Sequence, residues 1–354
     1  MKLQMKKYQV IIYGSYGYTG KLIVEESLSK NLSILLAGRN EQKLKEQSEK
    51  TGYPFAAADI NNHRALVEAL KEGNVLINAA GPFINTASPM VAACIEARTH
   101  YLDINGDLAV FELIKTYDSQ AKSAGIMLMP GTGFDVVPTD CMAVKLKNKM
   151  PDALTLKIAF ATIGGGVSHG TATTVAGRLG EKSTRRVDGK LVPINLGENG
   201  MWLNFGERRL FFMSIPWGDI STAYVSTGIP NVESFISVSP KIYRLLKFQR
   251  LINWLLRTKA VRKFIQKKID SKPEGPDKEA RKNACTLVWA EVKNKKGETL
   301  STRLQTPEGY GLTAIASLLI SEKVLGGIFK SGFQTPAMVY GENLIFEIEG
   351  VKEI

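Results

Sequence analysis

The chain has 354 residues, 44% hydrophobic and 23% charged, a composition that excludes a disordered chain and provides for two domains. Its three cysteines, Cys94, Cys141 and Cys285, are too far apart for a zinc site, so we expect no metal, no disulfide and a reducing, cytoplasmic compartment. No apolar run of about 20 residues occurs, so no membrane span is expected. The net charge of +12 favours an acidic partner.

The first 130 residues alternate short apolar runs with longer helix-like stretches. The predicted strands cover 8–13, 32–37, 53–58, 74–79, 99–104 and 125–130, and the predicted helices cover 18–30, 40–51, 61–72, 86–98 and 107–123. Strands that alternate with helices of this length predict right-handed βαβ units and a parallel sheet. We therefore predict an α/β fold with a Rossmann doubly wound parallel sheet.

The sequence Gly14-x-x-Gly17-x-x-Gly20 links the first strand to the first helix. In a dinucleotide-binding turn, the first glycine permits the tight turn, the second lets the backbone approach a pyrophosphate, and the third lets helix and strand pack closely. The helix N-terminus then presents N–H groups to the phosphates. Taken alone, the glycines also fit a purely steric role. In this βαβ context they predict a cofactor site at Gly14, Ser15, Tyr16, Gly17, Tyr18, Thr19 and Gly20.

The ends of the next strands extend this site. The second strand ends in "AGRN", where Arg39 replaces the acid that binds a ribose 2′-hydroxyl in NAD enzymes. A guanidinium suits a 2′-phosphate, so we expect NADP(H), with a solvated arginine as the alternative. Asp59 is expected beside the adenine or, equally, as the N-cap of 61–72. The predicted cofactor residues here are Arg39, Asn40, Asp59, Ala80, Gly81, Pro82 and Phe83.

Three residues are candidates for the chemistry. Asp103 in "YLDINGD" and Asp135 in "PGTGFDVVPTD" follow neighbouring strands and could orient a substrate or relay a proton, although capping or loop fixing is the more common role. His169 follows a glycine-rich turn and suits a general acid by residue type, although a structural histidine is the more common case. The Tyr-x-x-x-Lys pair of short-chain dehydrogenases is not found in the corresponding region.

The segments "GSYGYTG", "AGRN", "NAAGPF", "YLDINGD" and "GFDVVPTD" resemble, in order and spacing, those of the saccharopine dehydrogenase-like oxidoreductases. "PEGP" and "TPAMVYGENLI" extend the resemblance to about residue 349, and the branch with the trans-acting enoyl reductases is the most similar. The resemblance implies an NADP-binding Rossmann domain over 1–134, a second α+β domain over 135–309, and C-terminal helices over 310–354 that return to the first. Asp107 departs from the glutamate that the family usually has there.

The resemblance also implies an activity. It indicates hydride transfer to or from a C=C, C=O or C=N centre of a small-molecule or carrier-bound acyl substrate, such as an enoyl thioester. One alternative is a saccharopine-type amino-acid dehydrogenase, which needs cations around its pocket; Arg178, Arg185, Arg186, Arg208 and Arg209 are the candidates. Another alternative is a catalytically silent NADP-binding sensor or scaffold.

Residues 241–269 hold ten Lys or Arg residues and no acid. Together with Trp254, the long basic side chains predict a helix pair that lies peripherally on an anionic membrane. An acidic carrier protein and a homodimer interface are the alternatives. Nucleic acid is not expected, because the sequence shows no recognised binding module.

Overall fold

A computed structural model describes residues 6–248 and 253–354 of the chain. The predicted basic segment 241–269 includes residues 249–252, which lie outside the described residues. The chain divides into two compact units, one formed by the residues up to Val137 with Tyr310–Leu344, the other by Pro138–Gly309 with Ile345–Ile354. Both units combine helices with a sheet, so the α/β class with a second α+β domain is confirmed.

The first unit begins with alternating strands and helices. Its elements are β1 (Tyr8–Tyr13), α1 (Tyr18–Ser27), β2 (Ile34–Gly38), α2 (Glu41–Thr51), β3 (Phe55–Ala57), α3 (His63–Lys71), β4 (Gly73–Asn78), α4 (Phe83–Ala97), β5 (His100–Asp103), α5 (Leu108–Lys115), α6 (Asp118–Ala124) and β6 (Met127–Met129); later in the chain follow α14 (Gly309–Leu325), β15 (Gly332–Phe333) and α15 (Pro336–Tyr340).

Seven strands in the described part of this unit form one parallel sheet in the order β15-β6-β5-β4-β1-β2-β3. Ile12 of β1 is opposite Leu36 of β2 on one side and Ile77 of β4 on the other. All residues of β2, β4 and β5 are buried, which explains why these strands read as continuous apolar runs. The chain order reverses at β1, where it crosses from β3 to β4, and parallel sheets bind ligands at such a point.

Two predicted helices of this unit are wrong in their extent. The stretch 107–123 forms two helices, because the chain turns at Tyr117, whose hydroxyl pairs with Ser88 Oγ of α4 at 2.6 Å. The sequence also predicts a helix over 336–346, and this helix is interrupted, because Gly341 ends α15 with a φ of 81° and a 3-10 turn follows at Leu344–Glu347.

The second unit starts in the helix that follows β6. Its elements are α7 (Val137–Lys149), β7 (Ala153–Ile163), α8 (His169–Gly177), β8 (Ser183–Val187), β9 (Lys190–Ile194), β10 (Gly200–Phe205), β11 (Arg208–Ile215), α9 (Asp219–Thr227), β12 (Asn231–Ser237), α10 (Pro240–Phe248), α11 (Asn253–Leu256), α12 (Lys259–Asp270), α13 (Lys278–Lys282), β13 (Cys285–Asn294), β14 (Thr299–Pro307) and β16 (Lys352–Glu353).

Within the described residues of this unit, the strands form a mixed sheet in the order β10-β11-β12-β7-β13-β14-β16, with the β8–β9 hairpin attached to β12. β7 and β12 pair in parallel. β13 and β14 form a hairpin, as the sequence predicts from the strand-like runs at 284–294 and 299–306 and the turn "NKKGE" between them. Phe212, Phe235 and Trp289 are among the buried residues that pack on one another at the sheet. Residues 345–354 belong to this unit because β16 pairs with β14, whereas the sequence assigns all of 310–354 to the first.

Candidate dinucleotide site

The turn after β1 is packed against the turn after β4. Gly14 has a φ of 80°, a conformation that favours glycine, and its N–H donates to the carbonyl of Ala37 at 2.8 Å. A Cβ atom on Gly14 would lie 2.9 Å from the backbone nitrogen of Ala80. The two predicted cofactor loops therefore meet at the point where the strand order reverses, and only glycine fits between them.

Helix α1 begins at this turn without a side-chain cap. Gly17 is its N-cap residue and has an extended backbone, with a φ of −72° and a ψ of 168°. A Cβ atom on Gly20 would lie 2.2 Å from the carbonyl oxygen of Gly14, so the third glycine lets the first helical turn lie directly on the strand end. A helix N-terminus with no side-chain cap, fixed beside a glycine turn, is suited to bind phosphate oxygens. Tyr18 and Thr19 form its first turn.

The two residues between Gly14 and Gly17 contact the second βα unit. Ser15 is buried, and its hydroxyl donates to Oε1 of Gln47 at 2.7 Å, while Gln47 Nε2 donates to the Ser15 carbonyl. The ring of Tyr16 covers Gly38, and its hydroxyl accepts from the backbone N–H of Asn40 at 3.2 Å. These contacts fix the glycine turn to the end of β2.

Two basic residues lie near the end of β2, and one of them contacts the Tyr16 ring. Arg39 is exposed, and Lys43 Nζ lies 5.7 Å from the centroid of the Tyr16 ring. The side chain of Asn40 caps α2 by accepting from the backbone N–H of Lys43 at 2.9 Å. Two positive charges and a phenol ring therefore lie where an NADP-binding fold holds the 2′-phosphate.

Asp59 lies at the end of β3 and is exposed. The alternative that it caps the following helix is wrong, because α3 begins later and Asn62 caps it by accepting from the N–H of Ala65 at 3.1 Å. Asp59 closes the preceding turn, where Oδ1 accepts from the N–H of Asn61 at 2.8 Å.

The loop after β4 contains a cis peptide bond between Gly81 and Pro82. Thr86 Oγ1 donates to the carbonyl of Ala80 at 2.7 Å and ties the loop to α4. Helix α4 begins at Phe83, and, as in α1, no side chain caps it. The four residues predicted to line the cofactor thus form a fixed turn beside Gly14.

Asp103, at the end of β5, is fully buried in a hydrogen-bonded network. Tyr101 donates to its Oδ2 at 2.7 Å, and its Oδ1 accepts from Asn105 Nδ2 at 2.7 Å and from the Gly131 N–H at 2.9 Å. Burial raises the pKa of Asp103, while these hydrogen bonds oppose the rise. Asp103 thus holds the loop after β5 and the loop after β6 together, the loop-fixing role that the sequence left open. Asn78 adds a weak contact to Tyr101 at 3.4 Å.

Asp135 follows the loop after β6, and it precedes α7. A Cβ atom on Gly106 would lie 2.6 Å from its Oδ2, so the "NGD" turn packs directly on the carboxyl group. Burial raises the pKa of Asp135 to about 7. A carboxyl group that changes protonation near neutral pH, at the carboxyl edge of a parallel sheet, is a candidate proton donor or acceptor.

His169 lies in the second unit, at the start of α8. Its ring Nε2 is 2.7 Å from the carbonyl of Lys272, and its backbone N–H donates to the carbonyl of Glu274 at 2.8 Å. Ser168 caps α8 by accepting from the N–H of Thr171. These contacts fit the structural role that the sequence left as the alternative.

Several residues near the turns were not predicted from the sequence. Lys43 and Gln47 lie on α2, and Tyr310 and Thr313 lie on α14. The ring of Tyr310 contacts that of Tyr18, and Thr313 Oγ1 accepts from the N–H of Phe134 at 3.0 Å. No motif marks these positions, since Tyr310 is far along the chain from the glycine motif.

A family model described as the saccharopine dehydrogenase NADP binding domain matches residues 10–129. This part of the chain is therefore similar to the NADP-binding domain of saccharopine dehydrogenases. The match covers β1 to β6, and therefore the glycine turn and the loops after β4 and β5. The matched region also contains the start of α1, which has no side-chain cap, and the close approach of Gly14 to Ala80, so the residues that are present fit a dinucleotide.

Relatives carry related names. The chain is 30% identical over 224 residues to a saccharopine dehydrogenase-like oxidoreductase of Bos taurus, covering 55% of this chain and 52% of the relative. It is 30% identical over 148 residues to a trans-acting enoyl reductase of Mycobacterium ulcerans, covering 40% and 35%. A lipid droplet localized protein of Caenorhabditis elegans is 35% identical over 150 residues, covering 38% and 35%. The chain spans about half the length of the first of these relatives.

The fold is shared with a saccharopine dehydrogenase from Saccharomyces cerevisiae, with a TM-score of 0.68 and 12% identity over 98% of this chain and 100% of that one. Among the residues that the structure describes, none of the helices combines the length and the apolar character that crossing a membrane requires. The same residues contain no cluster of three or more His, Cys, Asp or Glu side chains suited to a metal ion.

Proposed function

We propose that the protein is an NADP-dependent oxidoreductase that transfers a hydride to or from a C=C, C=O or C=N centre. The observation that carries this proposal is the uncapped start of α1, held beside Gly14 and Ala80 at the strand-order reversal of a domain from an NADP-binding family. When bound, the nicotinamide supplies the hydride chemistry. The α1 N-terminus would bind the diphosphate, and the fixed loops after β4, β5 and β6 would orient the reacting ends.

The preference for NADP(H) over NAD(H) rests on Arg39, supported by Lys43 beside the Tyr16 ring. The variant Arg39→Asp should invert the preference, because it removes a partner of the 2′-phosphate and supplies an acceptor for a 2′-hydroxyl. Calorimetric titration with NADPH and NADH measures both dissociation constants. The matched control is Lys50→Asp, which makes the same charge change at the far end of α2. Unchanged constants for Arg39→Asp, or equal shifts in both variants, would contradict the preference.

Reduction or oxidation by hydride transfer also moves a proton to or from the substrate. We propose that Asp135 donates or accepts that proton. Its half-buried carboxyl group, on which the turn at Gly106 packs, has a pKa of about 7, which suits acid and base roles at neutral pH. Asp103 is a positioning residue in this proposal, since its carboxylate is occupied by Tyr101, Asn105 and Gly131. Asp135→Asn should lower turnover while leaving NADPH affinity unchanged, and unaltered turnover would exclude the role.

The proposed substrate class is a hydrophobic or carrier-bound acyl group, such as an enoyl thioester, on the basis of the relatives named trans-acting enoyl reductase. The alternative, an amino-acid dehydrogenase for an imine between two acids, requires several available cations. Arg186 does not meet this need, because its guanidinium donates to the carbonyls of Ile220 and Gly189 and stacks on Tyr224.

Two assays separate these substrates. Oxidation of NADPH with a medium-chain enoyl thioester would support the first, and reduction of NADP⁺ by saccharopine would support the second. Tight NADPH binding without turnover in either assay would favour the third function, a silent NADP-binding sensor or scaffold.

A separate proposal concerns the basic helices α10, α11 and α12. Leu245, Trp254 and Phe264 are 72%, 71% and 59% exposed, although all three are large and apolar. Helices α10 and α12 each pack one side against the rest of the second unit. Tyr243 of α10 packs on Phe211, and Gln266 Nε2 of α12 donates to Thr173 Oγ1. The apolar side chains therefore point away from the core.

Cations accompany these apolar side chains. Lys263, Lys267 and Lys268 are exposed on the same side of α12 as Phe264, and Lys268 Nζ lies 4.9 Å from the Phe264 ring centroid. We propose that this surface docks peripherally on an anionic lipid membrane, to which each nearby cation contributes about 1 kcal/mol. The relative named lipid droplet localized protein supports the same choice.

Flotation with phosphatidylserine-containing and pure phosphatidylcholine vesicles tests this docking. Replacing Lys263, Lys267 and Lys268 by Gln should abolish flotation with the anionic vesicles. The control replaces Lys293, Lys295 and Lys296, exposed on the β13–β14 hairpin, and should leave it intact. Absence of lipid binding, or equal loss in both triple variants, would overturn the docking. If the protein does not bind lipid but forms a dimer or binds an acidic carrier protein, and this binding requires Lys263, Lys267 and Lys268, the membrane proposal is overturned in favour of that partner.

A further inference from the structure

The first turn of α14 contacts the start of α1. The ring centroids of Tyr310 and Tyr18 are 5.1 Å apart, and the rings meet edge to face at 87°. Tyr18 is the first residue of α1 and directly follows Gly17. Any group bound at the α1 N-terminus therefore lies within one residue of this aromatic pair.

The same turn of α14 also contacts the loop after β6. Thr313, three positions after Tyr310 and so on the same side of the helix, accepts the N–H of Phe134 at 3.0 Å. A Cβ atom on Gly133 would lie 2.6 Å from Thr313 Cγ2, so the loop and the helix are in close contact. The position of Tyr310 is therefore fixed at two points on the carboxyl edge of the sheet.

These contacts indicate which half of a dinucleotide Tyr310 faces. Arg39 and Asp59 end β2 and β3, on one side of β1, whereas the loop after β6 lies on the other side, beyond β4 and β5. An NADP molecule places its adenosine on the first side and its nicotinamide on the second. The first turn of α14 bridges the α1 N-terminus, through Tyr310, and the loop after β6, through Thr313. Tyr310 therefore lies toward the diphosphate and the nicotinamide.

We propose that Tyr310 is a binding residue of the dinucleotide site, and that its ring contacts the diphosphate–nicotinamide half of NADP(H). This inference rests on the proposed function, because it assigns a further residue to the same site. Aromatic rings bury large areas with few rotatable bonds, and Tyr18 holds this ring in one orientation. The role brings a distant part of the chain, Tyr310–Leu344, into the cofactor site.

The experiment compares two ligands that share one half. Calorimetric titration measures the dissociation constants of NADPH and of 2′,5′-ADP, which lacks the nicotinamide half, for the wild type and for Tyr310→Ala. Tyr310→Ala should weaken NADPH binding roughly 5- to 10-fold and leave 2′,5′-ADP within about 2-fold. Tyr310→Phe keeps the ring and should stay within about 2-fold of the wild type for both ligands. A variant that is merely loosened would lose both ligands, so the split between them identifies a direct contact.

Tyr340→Ala is the matched control, since Tyr340 is also half-buried in the first unit and contacts Lys323 and the carbonyl of Ile328. It should leave both constants unchanged. Unchanged NADPH binding in Tyr310→Ala, equal loss of both ligands, or a loss in Tyr310→Phe as large as in Tyr310→Ala would overturn the assignment. Should Tyr310→Ala not fold, Tyr310→Leu replaces it under the same criteria. If the wild type binds neither ligand, the proposed function fails and the role of Tyr310 fails with it.

Discussion

Gly20 and Gly17 are three residues apart in one turn, yet a methyl group at each should have a different effect. In Gly20→Ala the new Cβ would lie 2.2 Å from the Gly14 carbonyl oxygen and 3.0 Å from two backbone carbons, of Gly14 and Ser15. These are backbone atoms, so the strand end or the helix must shift. In Gly17→Ala the nearest atom is the same oxygen at 3.2 Å, and the backbone conformation of Gly17 suits alanine.

The magnitude follows from two opposed terms. Alanine inside a helix is favoured over glycine by about 1 kcal/mol. Overpacking costs about 1–3 kcal/mol or more, and a clash with backbone places Gly20→Ala at or beyond the upper end of that range. We expect a net loss of about 2 kcal/mol, which lowers the melting temperature by roughly 4–8 °C for a unit of this size. Gly17→Ala should change the melting temperature by no more than about 2 °C.

Differential scanning calorimetry measures stability, and titration with NADPH measures affinity. Gly17→Ala should weaken NADPH binding at least about 10-fold at nearly unchanged stability, because its methyl group projects at the helix N-terminus where the diphosphate would lie. The bulkier Gly17→Val should abolish binding in a folded protein. Equal melting temperatures for Gly20→Ala and the wild type would refute the packing argument. Undiminished affinity in Gly17→Val would refute the phosphate site.

Three further predictions concern polar groups. Tyr101→Phe removes a donor to the buried Asp103 and should lower the free energy of unfolding, measured by chemical denaturation, by about 1–3 kcal/mol. The control Tyr53→Phe removes only a weak contact to Ser27 Oγ at 3.4 Å and should lower it by less than about 0.5 kcal/mol. The pKa of Asp135 is about 7 in the folded state against 3.8, so the free energy of unfolding falls as pH rises from about 4 to 7. Asp135→Asn should remove up to ~2.7 kcal/mol of the fall between melts at pH 5 and pH 8, and an equal fall in the variant and the wild type would disprove it. His169→Ala should lower stability by about 1 kcal/mol without changing NADPH affinity, and a weakened affinity would contradict its structural role.

The sequence predicted the strands of the first unit closely, because buried parallel strands are continuous apolar runs and the helices between them begin with recognisable signals. It was less successful where one residue interrupts a helix. Gly341 ends α15 through its positive φ, and the chain turns at Tyr117 between α5 and α6, where the Tyr117 hydroxyl pairs with Ser88 Oγ. Neither interruption has a local pattern, since a glycine or a tyrosine also occurs inside continuous helices.

The sequence by itself determined the glycine turn, because its glycines act on neighbours within a few residues. Gly20 packs on Gly14, and Gly17, between them, is the N-cap of α1. Only the tertiary structure decided which polar groups surround that turn. Asp103 is held by Tyr101 and Gly131, and Tyr310 reaches Tyr18 from the far end of the chain. Such contacts depend on the order of the strands and on where a distant helix packs, and local chain geometry specifies neither.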